Sequence, residues 1–300
     1  MTSTGHEAQL RIPEGVLLGH ALVGRLADSL GIRVFFIKGP ASVIQGLRKA
    51  KISADVDVFV DPTRIEDLLQ GLYERGWRQR PVDPDDRTFP KHSVTVHHSA
   101  WPCCIDVHFR FPGMEGAAHE CFTALWANTV HVELAGQRLR VPSKALGILF
   151  LALHALRSRD LPACREELEY LAVLTWRESL AEALLELASA TGALAAVRPF
   201  LEGLLPEATT AVWPEPSREW HNRVAAQAPG SARLIAIAQA SWRDKSRMLW
   251  AAIFPPREVL LSANIYADMS LPGRLDQHGA RWWRFLRAAP RMVRNLRGLR

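Results

Sequence analysis

Asp55 and Asp57 stand two residues apart inside Ser53-Ala54-Asp55-Val56-Asp57-Val58-Phe59-Val60, a run that otherwise reads as a buried strand. Strand side chains alternate between faces, so the two carboxylates share one face. Neighbouring anions repel each other and resist leaving water, so a fold keeps such a pair mainly where a cation neutralises it. Hard oxygen ligands suit magnesium, which commonly binds through one or two carboxylates together with substrate phosphates. Magnesium is therefore the expected cofactor.

Two more segments bear on the same chemistry. Val34-Phe35-Phe36-Ile37 is an apolar run fit for a strand covered on both faces, and it ends abruptly at Lys38-Gly39-Pro40, with a helix expected over Ala41 to Leu47. Gly39 lets the backbone approach a ligand, and Lys38 offers a point charge to phosphate oxygens. Later, Cys103-Cys104-Ile105-Asp106-Val107-His108-Phe109 alternates, with Asp106 and His108 on one face and Ile105, Val107 and Phe109 on the other. A third strand carboxylate is thus available. Each acid alone has an ordinary explanation: Asp55 as a turn residue, Asp57 on an uncovered sheet face, Asp106 paired with Arg110. The three together point to a metal site.

In this order, Lys38-Gly39, Asp55-Val56-Asp57 and Asp106-Val107-His108 resemble the nucleotidyltransferase superfamily related to DNA polymerase β, and within it a bacterial branch of largely uncharacterised nucleotidyltransferases. The resemblance extends through Leu153-His154-Ala155 and Phe254-Pro255-Pro256-Arg257-Glu258. It implies an α+β (α/β-like) fold, a mixed-sheet nucleotidyltransferase core followed by a mostly helical C-terminal region. It also implies a transferase that moves a nucleoside monophosphate, most simply AMP from ATP, to an acceptor hydroxyl or phosphate on a small molecule, sugar or protein. The better-studied members carry a Gly-Ser or Gly-Gly pair after the first strand, where this chain has Lys-Gly followed by Pro40. That departure leaves open which nucleotide is bound.

The chemistry assigns roles. Nucleotidyl transfer is an in-line displacement at the α-phosphorus, and two metal ions held by three carboxylates stabilise the entering and leaving oxygens. Asp55 and Asp57 are expected to hold the triphosphate's metal, and Asp106 to complete the acceptor-side metal and receive the acceptor's proton. Lys38 and Gly39 are expected at the β- and γ-phosphates, with Ser53 a hydroxyl at the edge. His108 either orients the acceptor or steadies Asp106 by a hydrogen bond. His92, His97 and His98 lack metal-ligand spacing, and His154 either faces the active cleft and touches the nucleotide or, the commoner case, is a polar residue at a domain seam. No GxxxxGK[ST], GxGxxG, HExxH or GxSxG pattern occurs, which removes P-loop kinases, dinucleotide enzymes, zincins and ordinary serine hydrolases.

The chain divides near residue 142, giving a catalytic part over 1–142 and a helical part over 143–300. Within the first, helices are expected over Glu14 to Leu30 and Pro62 to Arg75, the latter closed by Gly76, with strands at His92 to His98 and Cys103 to Phe109 and a hairpin around Gly136-Gln137. Helices are then expected near 143–158, 163–175, 178–190 and 232–253. The first residues lack the layout of a secretory signal, and the longest apolar stretch, Ala145 to Leu153, is too short to span a bilayer, so a cytoplasmic protein with reduced thiols is expected. The net charge of +6 is concentrated at the end, where arginines 281, 284, 287, 291, 294, 297 and 300 occur without an acidic residue. That helix either meets phosphate-rich partners in a weak anionic-surface contact or is simply a solvated end kinked at Pro290, the commoner use of such a sequence. No stable nucleic-acid partner is expected. Two other functions fit the chain, a non-catalytic nucleotide-binding regulator and a peripheral polyanion-binding or membrane-surface protein.

Overall fold

In the computed structural model, residues 10–82, 89–205, 213–226, 231–255, 257–263 and 268–297 are described. The first helix, α1 (Ile12–Leu30), starts with Pro13 in its opening turn and leads into β1 (Val34–Phe36), α2 (Gly39–Ile44) and β2 (Asp55–Val60). Helix α3 (Ile65–Glu74) is followed by Gly76 at φ +86°, where Trp77 N–H returns to the Leu72 carbonyl at 3.2 Å and closes the helix. Strands β3 (Arg78–Gln79), β4 (Ser93–His97) and β5 (Cys104–His108) complete a five-stranded mixed sheet in the order β1-β2-β5-β4-β3, in which only β2 and β5 run parallel.

Alternation along these strands sorts two cores. Val34, Phe36, Val56, Val58, Val60, Ile105 and Val107 face α1 and α3, and the same cluster takes in Leu139 and Val141. Those two come from the hairpin β6 (Thr129–Leu134) and β7 (Gln137–Pro142), which follows α4 (Ala118–Ala127). The opposite face carries Phe35, Ile37 and Phe59, together with the carboxylates. It packs against α5 (Lys144–Leu156), whose residues from Ala145 to Leu153 are all buried, and against α6 (Pro162–Arg177), α7 (Ala181–Ala190) and α8 (Leu194–Leu201). One apolar cluster therefore runs across residue 142.

The C-terminal part continues as α9 (Arg218–Ala225), α10 (Ser231–Gln239), α11 (Trp242–Ile253), α12 (Arg257–Ala263) and α13 (Leu271–Arg297). Three differences from the sequence reading stand out. The helix expected over 232–253 is two helices, because the Ser241 hydroxyl accepts from Asp244 N–H and begins α11 afresh. Helix α4, not foreseen, buries Cys121, Phe122 and Leu125. Helix α13 is continuous through Pro290. Arg300 and Pro256 lie outside the described residues. Among the described residues no helix is long and apolar enough to cross a membrane, and all four cysteines are unpaired.

Candidate active site

The turn after β1 is strained where it serves the site. Lys38 adopts φ 59° and ψ −152°, a conformation costing a non-glycine residue about 1–3 kcal/mol, and Gly39 follows at φ +52°. A side chain on Gly39 would stand 3.3 Å from the Ser53 hydroxyl, so only glycine lets these two segments approach without adjustment. The result places Lys38 Nζ 3.1 Å from Asp57 Oδ1.

The register of β2 against β5 supplies the rest. Asp57 pairs with Asp106 and Phe59 with His108 across the two parallel strands, so acids from segments about fifty residues apart become neighbours on one face. Asp57, Asp106 and His108 each offer a ligand atom within 4.8 Å of the others. Asp55 lies one pleat along the same face and is not part of that close group. All four line one cleft of about 440 Å³, with Lys38, Gly39 and Ser53 also on its wall.

Charge is unevenly shared among these groups. Asp57 is only 8% exposed. Burial alone would raise its pKa, but the hydrogen bond with His108 Nε2 at 2.9 Å and the charge of Lys38 hold it well below the usual carboxylate range. Asp55 shifts the other way, raised by burial first and then by the charges of Asp57 and Asp106. Among the described residues, no hydrogen bond or ion pair reaches the Asp106 carboxylate. The cleft thus concentrates negative charge that Lys38 answers only in part.

Several sequence expectations are refined. His108 bonds Asp57 rather than Asp106, because its ring reaches across to β2. Ser53 donates to the Asp55 carbonyl at 3.2 Å, which holds its hydroxyl beside Gly39. Arg110 pairs with Glu219 and leaves Asp106 to the cleft. His92 and His154, neither favoured as a site residue from the sequence, both line the cleft, and both are pushed down to about 3 by burial and then by nearby cations. Arg48, Lys51, Phe111 and Arg157 complete the wall unforeseen. Arg48 forks onto Glu167 at 2.5 and 3.1 Å, so its charge is matched.

A family described as uncharacterised nucleotidyltransferase matches residues 20–202, a span that includes every residue of this cleft. The chain belongs to that family. Membership makes the protein a nucleotidyltransferase, an enzyme that moves a nucleoside monophosphate to an acceptor. The match ends before Phe254-Pro255-Pro256-Arg257-Glu258. Among solved structures, the chain is similar to the antibiotic-resistance factor ANT(2'')-Ia at 14% identity, covering 60% of this chain and 94% of that one, with a TM-score of 0.40. It is also similar to the lincosamide antibiotic adenylyltransferase LnuA at 14% identity, covering 52% and 94%, TM-score 0.35. An antigenic nucleotidyltransferase-like protein from Paracoccidioides brasiliensis is similar at 11% identity, covering 66% and 91%, TM-score 0.39. The family assignment rests on the family match alone. No curated protein matches the chain.

Proposed function

We propose that this nucleotidyltransferase moves AMP from ATP to an oxygen of a small-molecule, sugar or protein acceptor, with magnesium at Asp55, Asp57 and Asp106. The observation that carries the reading is the pairing of Asp57 with Asp106 across β2 and β5, beside a lysine 3.1 Å from Asp57. The donor set fits a hard divalent cation, since oxygen atoms dominate it and Asp55 is left with excess negative charge from its neighbours. When bound there, magnesium supplies positive charge to the reacting phosphate and lowers the pKa of an acceptor hydroxyl.

The chain's own residues do the remainder. Lys38 and the Gly39 backbone bind the β- and γ-phosphates, with the Ser53 hydroxyl at the edge. His108 keeps Asp57 ionised and fixed in orientation. The acceptor oxygen bonds to the α-phosphorus as the bond to the bridging oxygen breaks, pyrophosphate leaves, and the acceptor's proton passes to Asp106. A cytoplasmic setting goes with the four unpaired thiols.

Calorimetric titration with α,β-methylene ATP tests the binding half of this reading. Binding should require magnesium, disappear with a chelator, and weaken at least roughly tenfold in Asp57→Asn. Affinity indifferent to both the metal and the substitution would overturn it.

A further inference from the structure

The cleft is acidic only at the carboxylates. Among the described residues that line it, Asp55, Asp57 and Asp106 are the only acids, and the other ionisable groups are cationic or imidazole. Arg157 is the least accounted for. It caps the C-terminal end of α5, and no carboxylate among the described residues pairs with it. Its Nε is buried without a hydrogen-bond partner, and its guanidinium lies 5.9 Å from the centre of the Phe111 ring. Arg223 stands near enough to lower its pKa further, after burial, to about 10. A buried guanidinium is unfavourable unless an anion completes it, and the neighbouring Arg223 is itself paired with Glu219.

The surroundings repeat the pattern. His154, three residues back on the same helix, has its Nδ1 buried and unpartnered. His92 sits just before β4 with its ring 5.9 Å from that of His108. In the strand order, β1, two residues before Lys38, lies on one side of the β2–β5 pair, and β4, which begins just after His92, on the other. Phe111 has Lys38 Nζ 5.6 Å from its ring centre, so one aromatic side chain neighbours both Lys38 and Arg157.

Resting on the nucleotidyl-transfer reading above, we infer that Arg157, with His154 and His92, binds a phosphate group carried by the acceptor, so the acceptor substrate is a phosphorylated molecule. In this reading the triphosphate takes Lys38 and the acceptor's phosphate takes Arg157, with the carboxylates lining the same cleft. An acceptor recognised through amines meets no free carboxylate in this cleft, because the three acids are committed to metal. A guanidinium fork, by contrast, matches phosphate oxygens in geometry and charge.

The test titrates inorganic phosphate into the full-length wild type, Arg157→Gln and Arg157→Lys, each with and without saturating magnesium and α,β-methylene ATP, with acetate as a control anion and a melting curve for each variant. Phosphate should bind the wild type equally well with the analogue present. Arg157→Gln should weaken it about tenfold or more, and Arg157→Lys by less, while the analogue's own affinity stays within about threefold. Loss of phosphate binding when the analogue is present would overturn the inference and assign Arg157 to the triphosphate, a result that needs no variant. Acetate binding as tight as phosphate would also overturn it. Failure of the analogue to bind the wild type would instead sink the nucleotidyl-transfer reading, and the acceptor assignment with it.

Discussion

Asp55 and Asp57 are chemically identical and two residues apart, yet their surroundings drive them in opposite directions. Asp57 has Lys38 and His108 on one oxygen, whereas Asp55 has burial and the repulsion of two acids set against the more distant charge of Lys38 and a weak bond from Ser53. A carboxyl whose folded pKa is raised favours folding below its unfolded pKa, and that contribution is lost as pH rises through the folded value. At neutral pH the metal-free protein therefore carries an ionised Asp55 at a cost. Asp55→Asn should raise the melting temperature of the chelator-treated protein by about 2 °C at pH 7, with the difference narrowing toward pH 4. Magnesium should stabilise the wild type and leave the variant almost unmoved. A variant that melts lower than the wild type without metal would show that Asp55 is a structural acid.

At the level of elements, α5 decides whether the cleft has a far wall. Its Phe150 ring packs against Phe35, Phe59 and Phe111 at centroid distances of 6.2, 6.0 and 4.8 Å, tying the helix to the carboxylate face of the sheet. Phe150→Ala should cost about 3–5 kcal/mol, seen as a fall in melting temperature of roughly 10 °C. Val130→Ala on the exposed surface of β6 should change it little. A Phe150→Ala protein as stable as the wild type would mean that α5 is not anchored this way. Except for the two-residue β3, which was not foreseen, the strands, the Lys38 turn and the Asp-x-Asp face were legible because each depends on residues close in sequence, where periodicity and turn chemistry speak directly. The partner of His108 was not, because it depends on which strand pairs with β5 and in what register. His92, just before β4, and His154 and Arg157, at the end of α5, reach the cleft by tertiary packing, which the local pattern does not settle. The break at Ser241 had a local signal, a serine three residues before Asp244, which the long run of helix-forming residues obscured. Helix α4 was hidden by the Phe111-Pro112-Gly113 turn ahead of it and by its narrow apolar face.

Across the whole molecule, the sheet supplies the acids, while the turn after β1, the segment between α2 and β2 and the end of α5 supply the cations that line the same cleft. The cleft thereby brings carboxylates and cations together on one lining. Position-specific labelling shows whether transfer occurs at the α-phosphorus. ATP labelled at either the α- or the γ-phosphate is supplied with magnesium and a fraction of phosphorylated small molecules, beside Asp57→Asn and Asp106→Asn. The α-label should enter a product in step with pyrophosphate release, and each substitution should lower the rate by at least about 10²-fold. Transfer of the γ-label with formation of ADP, or equal turnover in the wild type and both variants, would contradict this mechanism.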